Sequence, residues 1–261
     1  MRLRIYQVDA FTSRVFGGNP AAVVPLEHWL PDDVLQDIAL ENNLSETAFV
    51  IREASKGWVI RWFTPTQEMA LCGHATLAAG YIVFTRLAPG LERVQFQSQS
   101  GPLTVEEGQG GWMRMDFPAW VPQPCEVPEG LVEALGATPQ ETLKSRDLLA
   151  VFDNEEQVRE LCPDMSRLAA LDLFGVVATA PGTQGDFVSR FFAPRVGVPE
   201  DPVTGSAHCE LVPYWAQRLG RNELLAHQVS ARGGVLHCEA LGERVSLSGQ
   251  AVLYMEGMIN V

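Results

Sequence analysis

The sequence contains no CxxC pair, no HxxxH and no GxSxG elbow. It has no glycine-rich phosphate cradle of the GxGxxG or GxxxxGK[ST] type and no apolar run near the ~20 residues that span a bilayer. Each absence removes a class. Without paired cysteine or histidine spacing a structural zinc site has no recognisable ligand set, so no metal is expected. Without a phosphate cradle a nucleotide cofactor lacks its usual seat, and without the elbow an α/β-hydrolase nucleophile lacks its turn. The five cysteines, Cys72, Cys125, Cys162, Cys209 and Cys238, are odd in number and widely spaced, which argues against a disulfide framework. Cations are scarce too: 19 Lys and Arg stand against 32 Asp and Glu, for a net charge of -13. Such a surface repels phosphate backbones and anionic lipid, so neither nucleic acid nor a membrane is the expected partner. An anionic small molecule stays admissible, because one helix terminus can reverse the field locally. The opening "MRLRIYQVDAF" alternates like a strand and lacks the apolar core of a signal peptide, so a cytoplasmic, reduced protein is expected.

What is present is an ordinary globular composition, 46% hydrophobic over 261 residues, enough for one large domain or two small ones. Strand patterns dominate, at 3–11, 21–26, 58–63, 92–99, 111–117, 147–152, 174–180, 187–192, 227–234 and 242–257. Helical patterns are fewer. Asp32 and Asp33 open one amphipathic segment; 75–86 is apolar nearly all round and should be buried; 207–220 is a second long apolar segment stopped by Gly220. Two short acidic helices are expected near 129–136 and 155–161. The proline-dense stretch 116–130 is the best linker candidate.

Two segments repeat. "RWFTP" begins at Arg61 and "RFFAP" at Arg190, and the loops that follow reach Cys72-Gly73-His74-Ala75 and Thr204-Gly205-Ser206-Ala207. Both copies read strand, loop, small residue, glycine, polar residue, alanine, buried helix. A helix N-terminus carries unpaired N–H groups and about half a positive charge. Two such starts facing one another across a cleft would hold a small carboxylate; the alternative is that the glycines only tighten two turns.

The residues that could do chemistry lie beside these starts. Glu46, between Ser45 and Thr47 in "NNLSETAFV", either faces water or points into a cleft, where apolar neighbours would raise its pKa toward that of a general base. His74 either caps or packs its helix, or acts there as a neutral imidazole, the dipole disfavouring imidazolium. Cys72 in the same place would have a lowered pKa. Asp201 and Thr204 in "EDPVTGSA" read as helix-start residues, with an N-cap or Asx turn as the simplest role.

"VDAFTSRVFGGNPAAVV", "NNLSETAFV", "LCGHATLAAG" and "EDPVTGSA", in this order, resemble the phenazine-biosynthesis PhzF-like isomerase family, over essentially the whole chain. The resemblance implies an α+β fold like that of diaminopimelate epimerase: two pseudo-symmetric halves, each a barrel-like, mostly antiparallel sheet around a central helix, with the site in the cleft between them. The halves would be 1–117, completed by the last strand at 251–261, and 118–250. It implies a cofactor-independent isomerase acting by proton transfer on a small carboxylate-bearing metabolite, and leaves a homodimer open. Carried over by motif, Glu46 is the proton shuttle and His74 and Asp201 its catalytic companions. Asn19, Ser45, Gly73, Gly205 and Ser206 are the substrate-binding set. Epimerase relatives use two cysteines, one at each helix start; here Cys72 holds one place and Thr204 the other. A racemase or epimerase using Cys72, or a non-catalytic metabolite-binding or interaction protein, are the alternatives.

Overall fold

The computed structural model describes residues 1–261 as a mixed α+β protein with many strands and few helices. The chain divides into two compact units, residues 1–116 with 248–261, and residues 117–247.

In the first unit the strands pair in the order Ala251–Asn260, Arg2–Ala10, Asn19–Leu26, Glu46–Glu53, Gly57–Phe63, Arg93–Ser98, Gly101–Glu107, Met113–Pro118. The Asn19–Leu26/Glu46–Glu53 and Gly57–Phe63/Arg93–Ser98 pairs are parallel and the others antiparallel. The helix Gly73–Ile82 touches Ala251–Asn260 at one end of this row and Gly101–Glu107, next to the other end, as well as Arg2–Ala10, Asn19–Leu26 and Glu46–Glu53, so the sheet curls around it. That position explains its composition. Nine of its ten residues are buried, and a helix enclosed on all sides cannot carry a polar face. At Gly80 the fit is tight: a Cβ there would lie 2.8 Å from Val105 Cγ1. The amphipathic helix Asp32–Asn42 packs instead on the outer face, with Leu35 and Ile38 in a cluster with Ile5, Val24, Phe49 and Phe63.

The second unit repeats the plan. Leu148–Val151 pairs parallel with Val176–Pro181, which pairs antiparallel with Phe187–Ala193, then parallel with Glu223–Gln228, then antiparallel with Gly234–Ala240. This is the parallel, antiparallel, parallel, antiparallel sequence of the first unit from Asn19 to Glu107. Its long helix, Gly205–Leu219, packs on Glu223–Gln228 and Gly234–Ala240 and starts at the glycine matching Gly73. The repeated arginines also do one job. Arg61 forks its Nε and Nη2 onto Glu68, and Arg190 forks the same two atoms onto Glu200. In each unit the bidentate pair ties the strand to the loop that leads to the helix.

The structure departs from the sequence reading at several places. The segment 227–234 is no strand: Glu223–Gln228 ends there, and a turn carrying Gly233 at φ +66° leads to Gly234–Ala240. The segment 242–257 breaks at Gln250 into Arg244–Gly249 and Ala251–Asn260, and the two pieces fall in different strand pairings and largely different units. Alternation alone cannot reveal such a break, because it persists through a one-residue interruption. A short helix with no counterpart in the sequence pattern, Met165–Ala170, is held by Asp164 Oδ1 accepting from the N–H groups of Ser166 and Arg167.

Candidate active site

Three chain segments converge in the first unit. The outer helix ends where Asn43 takes the left-handed conformation, φ 48°, that asparagine tolerates better than most residues. The chain then turns through Ser45, and Asn42 Nδ2 donates to Thr47 Oγ1 at 3.0 Å, fixing the start of the strand that begins at Glu46. Parallel register sets Glu46 beside Ala21, two residues beyond Asn19 on the neighbouring strand. Asn19 itself is fully buried. The loop before it is close-packed: a Cβ at Gly18, φ +60°, would lie 2.0 Å from the Ala10 carbonyl oxygen. The third segment is the start of the buried helix. Cys72 is its N-cap residue in extended conformation, and Thr76 Oγ1 donates back to the Cys72 carbonyl.

These segments surround one imidazole. His74 Nε2 lies 3.1 Å from Glu46 Oε2, with side-chain exposures of 5% for His74 and 15% for Glu46. On the other side of the ring, Nδ1 is 3.2 Å from Asn19 Nδ2 and 3.6 Å from Cys72 Sγ. Neither Glu46 Oε2 nor His74 Nε2 has an aligned hydrogen bond within the protein, so their contact is a close, off-line ion pair and both atoms retain capacity for a ligand. The amide of Asn19 serves the ring in either state. Its NH2 donates to Nδ1 of a neutral ring; turned over, its oxygen accepts from Nδ1–H of an imidazolium. Nε2 faces Glu46 in both.

Two electrostatic expectations are overturned. The helix start alone predicts a lowered pKa for Cys72; burial, with the Glu46 charge adding to it, pushes the thiol up instead, against the help of His74 and the Ala75 N–H. The same dipole predicts a neutral His74. Burial does oppose its charged form, but the Cys72 and Glu46 charges outweigh burial and draw its pKa well above the ordinary value. The dipole of one helix is worth less than a carboxylate at 3.1 Å.

The second unit supplies its own set. Thr204, buried, is the N-cap residue of Gly205–Leu219; its hydroxyl donates to Asp201 Oδ2 at 2.5 Å. Gln228 holds this turn from the adjacent strand: Oε1 accepts from the Thr204 N–H at 2.8 Å, and Nε2 donates to the Asp201 carbonyl and to Thr204 Oγ1. Gly205 is buried, and Ser206 and Asp201 are half-buried. Sequence reasoning misses Gln228, since a glutamine in a strand carries no motif. One turn into the helix, His208 is buried and donates from Nδ1 to the Thr204 carbonyl at 2.8 Å; burial pulls its pKa down to about 4, so it is neutral.

The structure therefore brings Asn19, Glu46, Gly73 and His74 together with Cys72, with Ser45 half-buried next to Glu46, and gathers Asp201, Gly205 and Ser206 around Thr204 and Gln228. The first group offers a carboxylate, an imidazole and a thiol within proton-transfer reach of one another. No helix of the protein is long and apolar enough to cross a membrane.

Comparison with known proteins places this arrangement. A hydroxyproline epimerase from Agrobacterium vitis, solved with bound trans-4-hydroxy-L-proline, has a TM-score of 0.62 over 99% of this chain and 92% of its own; at 10% identity the likeness is one of fold. A crystal structure of a PhzF-family protein from Enterococcus faecalis matches all of both chains with a TM-score of 0.96 and 47% identity. An uncharacterized isomerase of Pseudomonas aeruginosa is 52% identical over 261 residues, the full length of both. The family profile for phenazine biosynthesis-like proteins, PhzC-PhzF, matches residues 8–257, and this chain belongs to that family.

Proposed function

We propose that this protein is an isomerase that moves a proton within a small carboxylate-bearing metabolite, without a cofactor, through Glu46. The observation that carries the reading is the Glu46–His74 pair: a carboxylate oxygen 3.1 Å from an imidazole nitrogen, both with unspent hydrogen-bonding capacity. The Glu46 carboxylate takes a proton from a carbon activated by the substrate's own unsaturation. The C–H electron pair moves into the conjugated system, and the resulting neutral carboxyl returns the proton to a different carbon. His74, its pKa raised beside Cys72 and Glu46, stands 3.1 Å from the carboxylate and favours its charged form. N–H groups at the helix start of Gly73 are assigned to the substrate carboxylate and to charge developing in the transition state. Asp201, oriented by Thr204, is assigned to a polar group of the substrate. The name of the Pseudomonas relative, an isomerase, agrees with this class of reaction.

The test works before the physiological substrate is identified. A panel of cyclic and unsaturated carboxylates is incubated with protein in D2O and carbon-bound deuterium is followed by NMR. Loss of a positioned general base is worth ~10²–10⁴-fold, so Glu46→Gln should slow incorporation by that order. Cys72→Ser should act mildly, since Thr204 occupies the second helix start. Incorporation that survives Glu46→Gln and disappears in Cys72→Ser would replace this reading with a thiol racemase or epimerase.

A further inference from the structure

We propose that Cys72, His74 and Glu46 form a binding site for one thiophilic divalent cation such as zinc, which displaces the shuttle's protons and inhibits the enzyme. One ligand atom from each of the three residues lies within 4.8 Å of the others. Thiolate, imidazole and carboxylate are the ligand types zinc takes, and three protein ligands with a fourth position open is an established zinc geometry. Zn–S near ~2.3 Å and Zn–N or Zn–O near ~2.0–2.2 Å in a tetrahedron require ligand atoms ~3.4–3.6 Å apart. Cys72 Sγ and His74 Nδ1 already stand 3.6 Å apart. Occupancy requires Glu46 to close the remaining distance by side-chain rotation and the Asn19 amide to turn away from Nδ1.

Charge favours the same occupant. The site is largely buried, with Cys72 7% and His74 4% exposed. A cation there must be neutralised by its ligands. One thiolate and one carboxylate cancel two positive charges, leaving the imidazole neutral. A monovalent ion would leave a net negative complex, and a hard cation such as magnesium prefers oxygen to sulfur. Binding requires the Cys72 S–H bond and the His74 Nδ1–H bond to break, with sulfur and nitrogen keeping their electron pairs for the metal and both protons released to solvent, so affinity rises with pH. The short Cys-x-His spacing on one side and a remote Glu46 on the other explain why no metal motif is visible in the sequence. Inhibition rests on Glu46 being the base, because the metal occupies its lone pair; binding itself does not.

The test uses the full chain without substrate. Metal-free protein is titrated with Co2+, then with Zn2+, for wild type, Cys72→Ser, Glu46→Gln and, as a control for the exposed thiol, Cys162→Ser. Wild type should show a thiolate-to-cobalt charge-transfer band and tetrahedral cobalt absorption saturating at one equivalent. Zinc should displace the cobalt, and metal loading of the resting protein should release about two protons per metal at neutral pH, one from Cys72 and one from His74. Cys72→Ser should abolish the band and weaken zinc by more than the ~10–100-fold typical of losing a supporting contact. Glu46→Gln should weaken zinc by at least that range, and Cys162→Ser should change nothing. In wild type, zinc should also protect Cys72 from alkylation in peptide mapping, a readout that does not depend on any variant folding. No charge-transfer band, a band that persists in Cys72→Ser, zinc affinity indifferent to Glu46→Gln, or an unprotected Cys72 would each overturn the site. None of these readouts uses turnover. Failure here with deuterium incorporation still dependent on Glu46 removes the metal site and leaves the isomerase reading standing; the reverse pattern does the opposite.

Discussion

Substituting Glu210 by glutamine should stabilise this protein at alkaline pH and do little in acid. Glu210 sits in the second turn of Gly205–Leu219, fully buried. Its Oε1 accepts from the Asp147 N–H at 3.0 Å, while Oε2 and both Asp147 carboxylate oxygens have no hydrogen-bond partner. The one cation at hand, Arg146, approaches Asp147 Oδ2 at 3.4 Å and is stacked over Phe174 and Trp120. Burial, reinforced by the Asp147 charge, pushes Glu210 up to about 7 from an ordinary 4.5. A carboxyl raised on folding binds its proton more tightly in the native state, so its stability contribution is complete below pH 4.5 and is lost as pH rises through about 7. The difference, 7 − 4.5 = 2.5 units, amounts to about 3 kcal/mol. The substituted amide keeps an oxygen for the Asp147 N–H, offers its NH2 to the Asp147 carboxylate and cannot ionise. Removing the Glu210 charge also eases ionisation of Asp147, whose own pKa burial raises, which acts in the same direction. Urea denaturation of wild type and Glu210→Gln at a series of pH values from about 4 to about 8.5 isolates the effect of this buried acid pair, because titrations elsewhere cancel in the difference. The variant should gain up to about 3 kcal/mol at pH 8 and about none at pH 4.5. A flat difference across this range, or a variant less stable at pH 8, would refute the buried-acid argument.

Other expectations follow from packing and burial. Gly80→Ala in an exposed helix would stabilise by ~0.5–1 kcal/mol, but here the new methyl meets Val105 at 2.8 Å, so we expect a net loss of ~1–3 kcal/mol and a lower melting temperature. An unchanged or raised melting temperature would mean that the helix and sheet can separate there. His208, held near pKa 4 by burial, should show no ring titration by NMR above pH 5.5, and its stabilising contribution should be complete above about 6.5 and fade as pH falls through about 4. A midpoint near 6.5 would place the ring in solvent.

Much of the architecture was legible in the chain because it rests on local pattern. The composition of 75–86, apolar nearly all round, requires enclosure whatever encloses it, and Asp32 and Asp33 before Val34, Leu35 and Ile38 mark a surface helix. The repeat of Arg61 and Arg190, and of Gly73 and Gly205, announced two copies of one plan. The structure adds what the two arginines do there, one fork onto Glu68 and the other onto Glu200. Tertiary structure alone decided the distances and the electrostatics of the candidate site. That Glu46 and Asn19 stand on adjacent parallel strand starts depends on register, which is a property of two distant segments. With Glu46 3.1 Å from His74, a carboxylate replaced the helix dipole as the dominant field, and burial reversed the expected shift at Cys72. The same holds for Gln228 and Glu210, whose roles come from what faces them across the fold. Sequence records periodicity and residue type, which govern burial; distances between charges, which govern protons, exist only once the chain has closed on itself.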